Sequence, residues 1–492
     1  MSFKNRSIFV TLPRTQRGMP LVLGGDPKGK TFLYPHGNSI IIRDIENPLI
    51  ADVYTEHCTQ TTCAKYSPSG FYIASADQSG KVRIWDTTQK EHILKNEYQP
   101  FAGIIKDLSW SPDNQRICVV GEGRERFGHV FMADTGTSVG EIAGHSNIIN
   151  SCDFRPKRPF RIVTASEDNS VGVYEGPPFK SKTYLSDHLF CSISLKFSPN
   201  GDLFASGGFD GKESRRKKNY FSFPGNKFLK SGGLKHFCYA SGEHDRIKGV
   251  GHSNQVQNMT SNSDCIYTCS LDDTMKFISK KDHQYQPETI KFDSQPRSVA
   301  CGKDGTILVA CLNEICIVEG NSKTTSFPID FEGTSISVHP TESDVAVGGA
   351  RDMKVHIYLL NGHNFSLKTT MEHRGAITDV AYSPNGMYLA ASDSNRKVVL
   401  YNASTYELAH NHEWGFHTAK VNCLGWCPNS LYLASGSLDT HIIVWSTEQP
   451  TKHIMIKNAH PQSQITRIGF LDNTTVVSTG QDSNVKIWDI VF

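Results

Sequence analysis

Residues 75–86 read SADQSGKVRIWD, residues 435–445 read SGSLDTHIIVW and residues 478–489 read STGQDSNVKIWD. Each puts small residues and an Asp-bearing turn ahead of four alternating residues that end in Trp, the pattern of a turn feeding a packed strand. With the Trp as phase marker, the slot recurs at Trp85, Ala133, Tyr174, Ile278, Val318, Tyr358, Tyr401, Trp445 and Trp488. The steps cluster near ~43 residues, the length of one four-stranded propeller blade. One step back from Trp85 falls at Arg43 in SIIIRDI (39–45), so a degenerate first repeat is expected there.

Between these slots, YSPSG (66–70) recurs as FSPNG (197–201), YSPNG (382–386) and WCPNS (426–430). Pro sets the first corner and Gly or Asn accepts positive φ, so each phrase predicts a tight hairpin turn between short apolar strands. No stretch carries a helical period.

A second set of residues repeats in phase. An Asp stands six residues before the marker in five units, namely Asp168, Asp272, Asp352, Asp439 and Asp482. Four residues before several of these is a hydroxyl, at Thr164, Thr268, Ser435 and Ser478, and further upstream a His, at His145, His252, His417 and His460. With Trp445 and Trp488 these resemble the structural tetrads of WD-repeat propellers. A buried Asp needs its lone pairs satisfied, and His, hydroxyl and indole N–H can form such a chain. A Ser-His-Asp triad uses the same residue types, but a periodic array would mean many active sites in one chain; the structural reading is preferred and no enzyme is expected.

Composition narrows the function. Lys and Arg number 51 against 49 Asp and Glu in 492 residues, a net charge of +2, without the clustered basic excess that nucleic-acid binding requires. The first ten residues lack a secretory apolar run and no stretch approaches a membrane span, so a cytoplasmic protein that does not engage membranes is expected. Thirteen cysteines at dispersed spacings fit neither a disulfide framework nor zinc; Cys118, Cys311 and Cys316 read as buried hydrophobes, and neither metal nor cofactor is expected.

The repeat breaks after Gly211, where KESRRKKNYFSFPGNKFLKSGGLKHFCYASG (212–242) replaces a strand ending in an aromatic. The basic run Arg215–Lys218 reads as a solvated loop within a segment foreign to the architecture, as an alternatively spliced stretch would be. The domain expectation is therefore an N-terminal set of blades over 1–211, an atypical insert over 212–248 and a C-terminal set of about six blades over 249–492.

Several stretches go beyond the generic pattern: GGDPKG (24–29), YTEH (54–57), IWDTTQKEH (84–92), YQPFAG (98–103), VGEGRERFG (120–128), EGPPFK (175–180), FHTAK (416–420) and GQDSNVKIW (480–488). In these the chain resembles the actin-interacting protein 1 (WD-repeat protein 1) family over 1–211 and 249–492. The resemblance implies an all-β fold of two WD-repeat propellers in tandem. It also implies a monomer of the actin cytoskeleton that binds actin filaments and cofilin and promotes disassembly of cofilin-bound filaments. The rival expectation is a general WD scaffold, such as a substrate receptor of a ubiquitin ligase.

Family members carry fourteen blades, so 492 residues imply a shortened form lacking about three, with one or both propellers incomplete and activity impaired. The filament-facing surface implied by the resemblance comprises Arg124, Glu125, Arg126 and Phe127 of VGEGRERFG, Glu167 and Asp168, and Lys180. Ser181 stands where the family has an aromatic, and Cys191 where it has another.

Overall fold

In Tyr72–Asp77 (YIASAD) every residue from Ile73 onward is buried. The alternation is hidden because this strand lies between two neighbouring sheets: Ile73 joins one apolar cluster with Leu33 and Ile40, while Ala74 and Ala76 join another with Ile105, Leu108 and Phe131. The next strand divides in the same way, with Trp85 toward the first cluster and Val82 and Ile84 toward the second. Two-sided packing turns a period of two into a continuous apolar run.

The computed structural model describes residues 2–10, 13, 22–47, 51–89, 91–100, 102–123, 126–186, 191–208, 213–214, 235–237, 244–302 and 305–492. Among them regular structure is strand throughout, and all but two short strands fall into antiparallel sheets of three or four. In chain order these are sheets 1 (24–54), 2 (61–98), 3 (105–141), 4 (149–185), 5 (192–214), 6 (256–291), 7 (296–328), 8 (333–372), 9 (377–402), 10 (421–456) and 11 (465–491). Strands follow one another by hairpins within each sheet, and the first strands of successive sheets adjoin within each unit, as in propeller blades.

The chain divides into two units, Ile8–Pro224 with sheets 1 to 5, and Gly225–Phe492 together with Met1–Ser7, which holds sheets 6 to 11. The second unit recruits the other end of the chain: Ser2–Phe9 is the outer strand of sheet 11, beside Val485–Val491. Arg6 Nε donates to Asp489 at 3.0 Å and Phe3 meets Trp488 edge-on at 6.2 Å. The expected N-terminal set over 1–211 includes these residues; the structure places Ser2–Phe9 in sheet 11, a strand pairing across the whole chain that leaves no local signal. Most of the expected insert over 212–248, including the basic run Arg215–Lys218, lies outside the described residues.

The expected degenerate first repeat is sheet 1. Its marker position is taken by Arg43, 6% exposed, whose Nε donates to Tyr34 Oη at 2.9 Å. The proline turns also form as expected: Gly70 lies at φ +77° and Gly386 at +74°. Ser430 adopts +61° in the equivalent turn, and its hydroxyl accepts from the Asn385 N–H of sheet 9 at 3.1 Å. This inter-sheet bond offsets the unfavourable left-handed backbone.

Candidate functional site

The repeated His, hydroxyl, Asp and Trp residues meet. His417 Nδ1 lies 2.9 Å from Asp439 Oδ2 and its Nε2 2.8 Å from Ser435 Oγ, while Trp445 Nε1 donates to the same Ser435 Oγ at 2.8 Å. His460, Ser478, Asp482 and Trp488 repeat the chain, with 2.9 Å between His460 Nδ1 and Asp482 Oδ1, 2.8 Å between Nε2 and Ser478, and 2.9 Å from Trp488 to Ser478. In sheet 4, His145 binds Asp168 at 2.8 Å and Thr164 at 2.7 Å; Tyr174 at the marker turns its hydroxyl to Ala143 O at 3.0 Å instead. In sheet 6, His252 binds Asp272 at 3.1 Å and Thr268 at 2.9 Å, and Ile278 leaves the chain without a fourth member.

One full tetrad escaped the sequence reading. His57 Nδ1 lies 2.8 Å from Asp77 Oδ2, its Nε2 2.7 Å from Ser75 Oγ, and Trp85 Nε1 donates to Ser75 at 3.0 Å. The Asp here stands eight residues before Trp85, and Ser79 occupies the usual Asp position and donates to Asp77. The signal that could have found it is the hydroxyl ten residues before the marker, which is constant at Ser75, Thr164, Thr268, Ser435 and Ser478. The same rule sets Asp352 apart: the hydroxyl slot of its unit is Gly348, no tetrad forms, and Asp352 Oδ2 lies 2.6 Å from His356 Nε2. In sheet 9 the slot is Ala391, and the Tyr401 hydroxyl itself reaches His373 Nε2 at 2.9 Å.

These chains brace turns and do no chemistry. Ser75, Ser435 and Ser478 are fully buried, so no substrate can reach a nucleophile there. Burial would raise the carboxyl of Asp77, but hydrogen bonds from His57 and Ser79 outweigh it and hold it at about 2. Asp272 is likewise held at about 2 against its burial, by Thr274, Ser253 and His252, and Asp168, Asp439 and Asp482 are also lowered. A carboxyl depressed on folding stabilises the fold fully above its unfolded value and loses that contribution as pH falls through its folded value. Stability is therefore expected to fall steeply between about pH 4 and pH 2, which urea midpoints taken at pH 5, 4 and 3 would check.

A second network lies on the first strands of the sheets. Asp107 accepts from Lys65 Nζ at 2.7 Å in sheet 2, and from Ser151 Oγ at 2.8 Å and Cys152 N at 3.1 Å in sheet 4. Asp379 accepts from Ser335 Oγ at 2.7 Å, Leu424 N at 3.0 Å and Arg467 Nη1 at 3.4 Å, joining sheets 8, 9, 10 and 11. Each carboxylate follows the same irregularity: in sheets 2 to 11 the first strand's register shifts between its first and third residues, as between Ile105 and Asp107. The bulge re-aims the side chain toward the neighbouring sheets.

The residues expected on the filament-facing surface are spread over two ends of the sheets. Arg124 and Glu125 lie outside the described residues. Arg126 is exposed and ion-pairs with Glu141 at 2.5 Å, and Phe127 packs half-buried against the cluster of Val120, Ile142 and Phe154. Glu167 is half-buried in the turn between the second and third strands of sheet 4; its N–H donates to Ile148 O at 2.9 Å and its carbonyl accepts from Cys191 Sγ at 3.6 Å. Asp168 is taken up by the tetrad. Lys180 is exposed at the start of the fourth strand, opposite Glu175 in the ladder, about 13 Å along the third strand from its end near the Glu167 turn.

Among the described residues one group of possible metal ligands comes together, Cys311, Glu314 and Cys316. The neighbouring Cys316 thiol and burial push the Cys311 thiol up, and Glu314 is engaged by Lys323 at 3.3 Å. A metal requires thiolates; these two cysteines pack instead with Val309 and Val318 in an apolar cluster. The described cysteines are all free, and among the described residues no helix is long and apolar enough to cross a membrane.

Against known proteins, the chain is 47% identical to Actin-interacting protein 1 of Drosophila melanogaster, over 99% of this chain and 98% of the relative. It belongs to the actin-interacting protein 1 family. WD repeat-containing protein 1 of Gallus gallus is 37% identical over the whole of both chains, and WD repeat-containing protein 1-B of Xenopus laevis 35%. The model of the WD domain, G-beta repeat, matches 50–86, 136–175, 179–212 and 451–489. Three of these matches end one residue past the marker positions Trp85, Tyr174 and Trp488, so the family pattern and the sheets share one phase. The WD40 domain of anaphase-promoting complex subunit 4 matches residues 340–429. Coverage of the relatives from end to end does not support the expected shortened form, nor the impaired activity inferred from it. Members of this family act without catalysis, so no enzymatic site is to be sought in the tetrads.

Proposed function

We propose that this protein binds actin filaments and, together with cofilin, promotes their disassembly as a cytoskeletal factor that works by contact. The observation that carries this reading is the 47% identity, over nearly all of both chains, to a relative named for its interaction with actin. The cofilin requirement and a monomeric state rest on the family resemblance of motifs such as VGEGRERFG and EGPPFK. Arg126 and Glu167 are charged residues of this surface whose immediate neighbourhood is hydrogen-bonded: Gly121 N donates to Phe127 O, next to Arg126, and Glu167 N to Ile148 O.

Co-sedimentation with actin filaments tests the reading. Actin is expected to shift from pellet to supernatant when cofilin and this protein are both present, and an unchanged pellet would exclude the proposal. The charge reversals Arg126→Glu and Glu167→Lys are expected to slow disassembly by about five- to tenfold, near 1 kcal/mol each, with unfolding midpoints unchanged. Disassembly unaffected by either would move the contact elsewhere on the chain.

A further inference from the structure

Five successive sheets of the N-terminal unit each end an early strand on a proline corner, and the five corners line one concave mouth of about 470 Å³. The corner residues are Pro27, Pro68, Pro112, Pro156 and Pro199, one from each of sheets 1 to 5. Behind them stand Tyr66, Trp110, Phe154 and Phe197, each at the last position of a first strand. The wall is rigid: Trp110 Nε1 donates to Lys65 O at 3.2 Å, Tyr66 Oη is 2.8 Å from Thr31 Oγ1, and proline corners carry no free N–H. Its size is that of a pocket for a few side chains.

Each lysine of this mouth is paired with a carboxylate, but the two lysines differ in exposure. Lys65, Lys196 and Asp153 line it; Lys65 is largely buried against Asp107, while Lys196 projects from Asp153. The Asp153 carboxylate is already occupied by Ser109 Oγ at 3.2 Å, Lys196 Nζ at 2.8 Å and Phe197 N at 2.9 Å. Asp107, beneath it, takes Lys65 Nζ, Leu108 N, Ser151 Oγ and Cys152 N, which fills its four acceptor positions. The Lys196 side chain nevertheless stays 72% exposed, so its remaining ammonium hydrogens face open space. The mouth thus offers spare donors and an apolar wall, and its carboxylates are engaged.

We propose that this mouth docks an acidic peptide segment of a protein partner, with a carboxylate on the Lys196 ammonium and an adjoining apolar side chain against Trp110, Phe154 and the proline rim. Charge complementarity selects the acid, and the aromatic and proline surface selects its apolar neighbour. The site is independent of the filament-facing residues, because none of Arg126, Phe127, Glu167 or Lys180 lines it.

Fluorescence anisotropy of the whole protein with a fluorescein-labelled octapeptide alternating glutamate and phenylalanine tests the proposal. Saturable binding is expected, weakening with salt and lost when lysine replaces glutamate. Lys196→Gln is expected to weaken it by about tenfold, Lys196→Arg to retain it, and Lys420→Glu in the other unit to leave it unchanged. Unfolding midpoints of the Lys196 variants check that the fold is intact. Equal binding of the lysine peptide, insensitivity to Lys196→Gln, or absence of saturable binding would each overturn the proposal.

Discussion

Trp445→Ala is expected to destabilise the C-terminal unit by about 3 to 5 kcal/mol, read from the urea midpoint of that unit. Trp445 is fully buried. Its ring stacks on Trp414 with centroids 5.0 Å apart and planes 13° from parallel, and it packs in one cluster with Leu400, Leu424 and Leu433. Truncation leaves a large cavity between sheets 9 and 10 and takes from Ser435 the indole donor that completes the tetrad. Trp445→Phe weights the two effects differently: it keeps a six-membered ring in the site and loses the rest of the indole with its N–H donor, so a cost of about 1 to 2 kcal/mol is expected. If the Phe variant proved as unstable as the Ala variant, the hydrogen-bonded chain would outweigh the packing.

Asp379→Ala carries an expected cost of similar size, about 3 to 5 kcal/mol, for a different reason. Little apolar volume is lost. What remains is a buried Leu424 N–H, a buried Ser335 hydroxyl and the Arg467 guanidinium, all turned toward a carboxylate that is gone. Unsatisfied buried donors cost more than the net value of the bonds they made. Asp379→Asn keeps the shape and one carbonyl acceptor but presents an amide donor to other donors, so an intermediate loss is expected. Hydrogen exchange at the Leu424 amide should accelerate in both variants, more in the Ala form; a loss below about 1 kcal/mol for Asp379→Ala would show that water replaces the carboxylate.

Tetrads were legible where turn chemistry is local. Asp439 and Asp482 stand at a fixed distance from Trp445 and Trp488 because a single hairpin turn places them. Asp77 was missed because sheet 2 moves the Asp two residues back and lets Ser79 hold the turn, while Asp352 has the right spacing but, with Gly348 supplying no hydroxyl, forms no tetrad. The belt of Asp107, Asp153 and Asp379 gave no sequence signal, since its partners lie one or more sheets away and the bulge that aims two of them depends on neighbouring strands. Of the residues expected to face a filament, Glu167 and Lys180 are close in sequence yet lie at opposite ends of sheet 4.

Sequence by itself determined the repeat, its four-stranded unit and its family, because period, proline corners and marker residues are local and recur. The tertiary structure alone decided that Ser2–Phe9 completes the last sheet, that Asp107 and Asp379 tie several sheets together, and that five proline corners share one mouth. Those are contacts between residues tens to hundreds of positions apart, and only folding brings their hydrogen-bond donors and acceptors within 3 Å or so of one another.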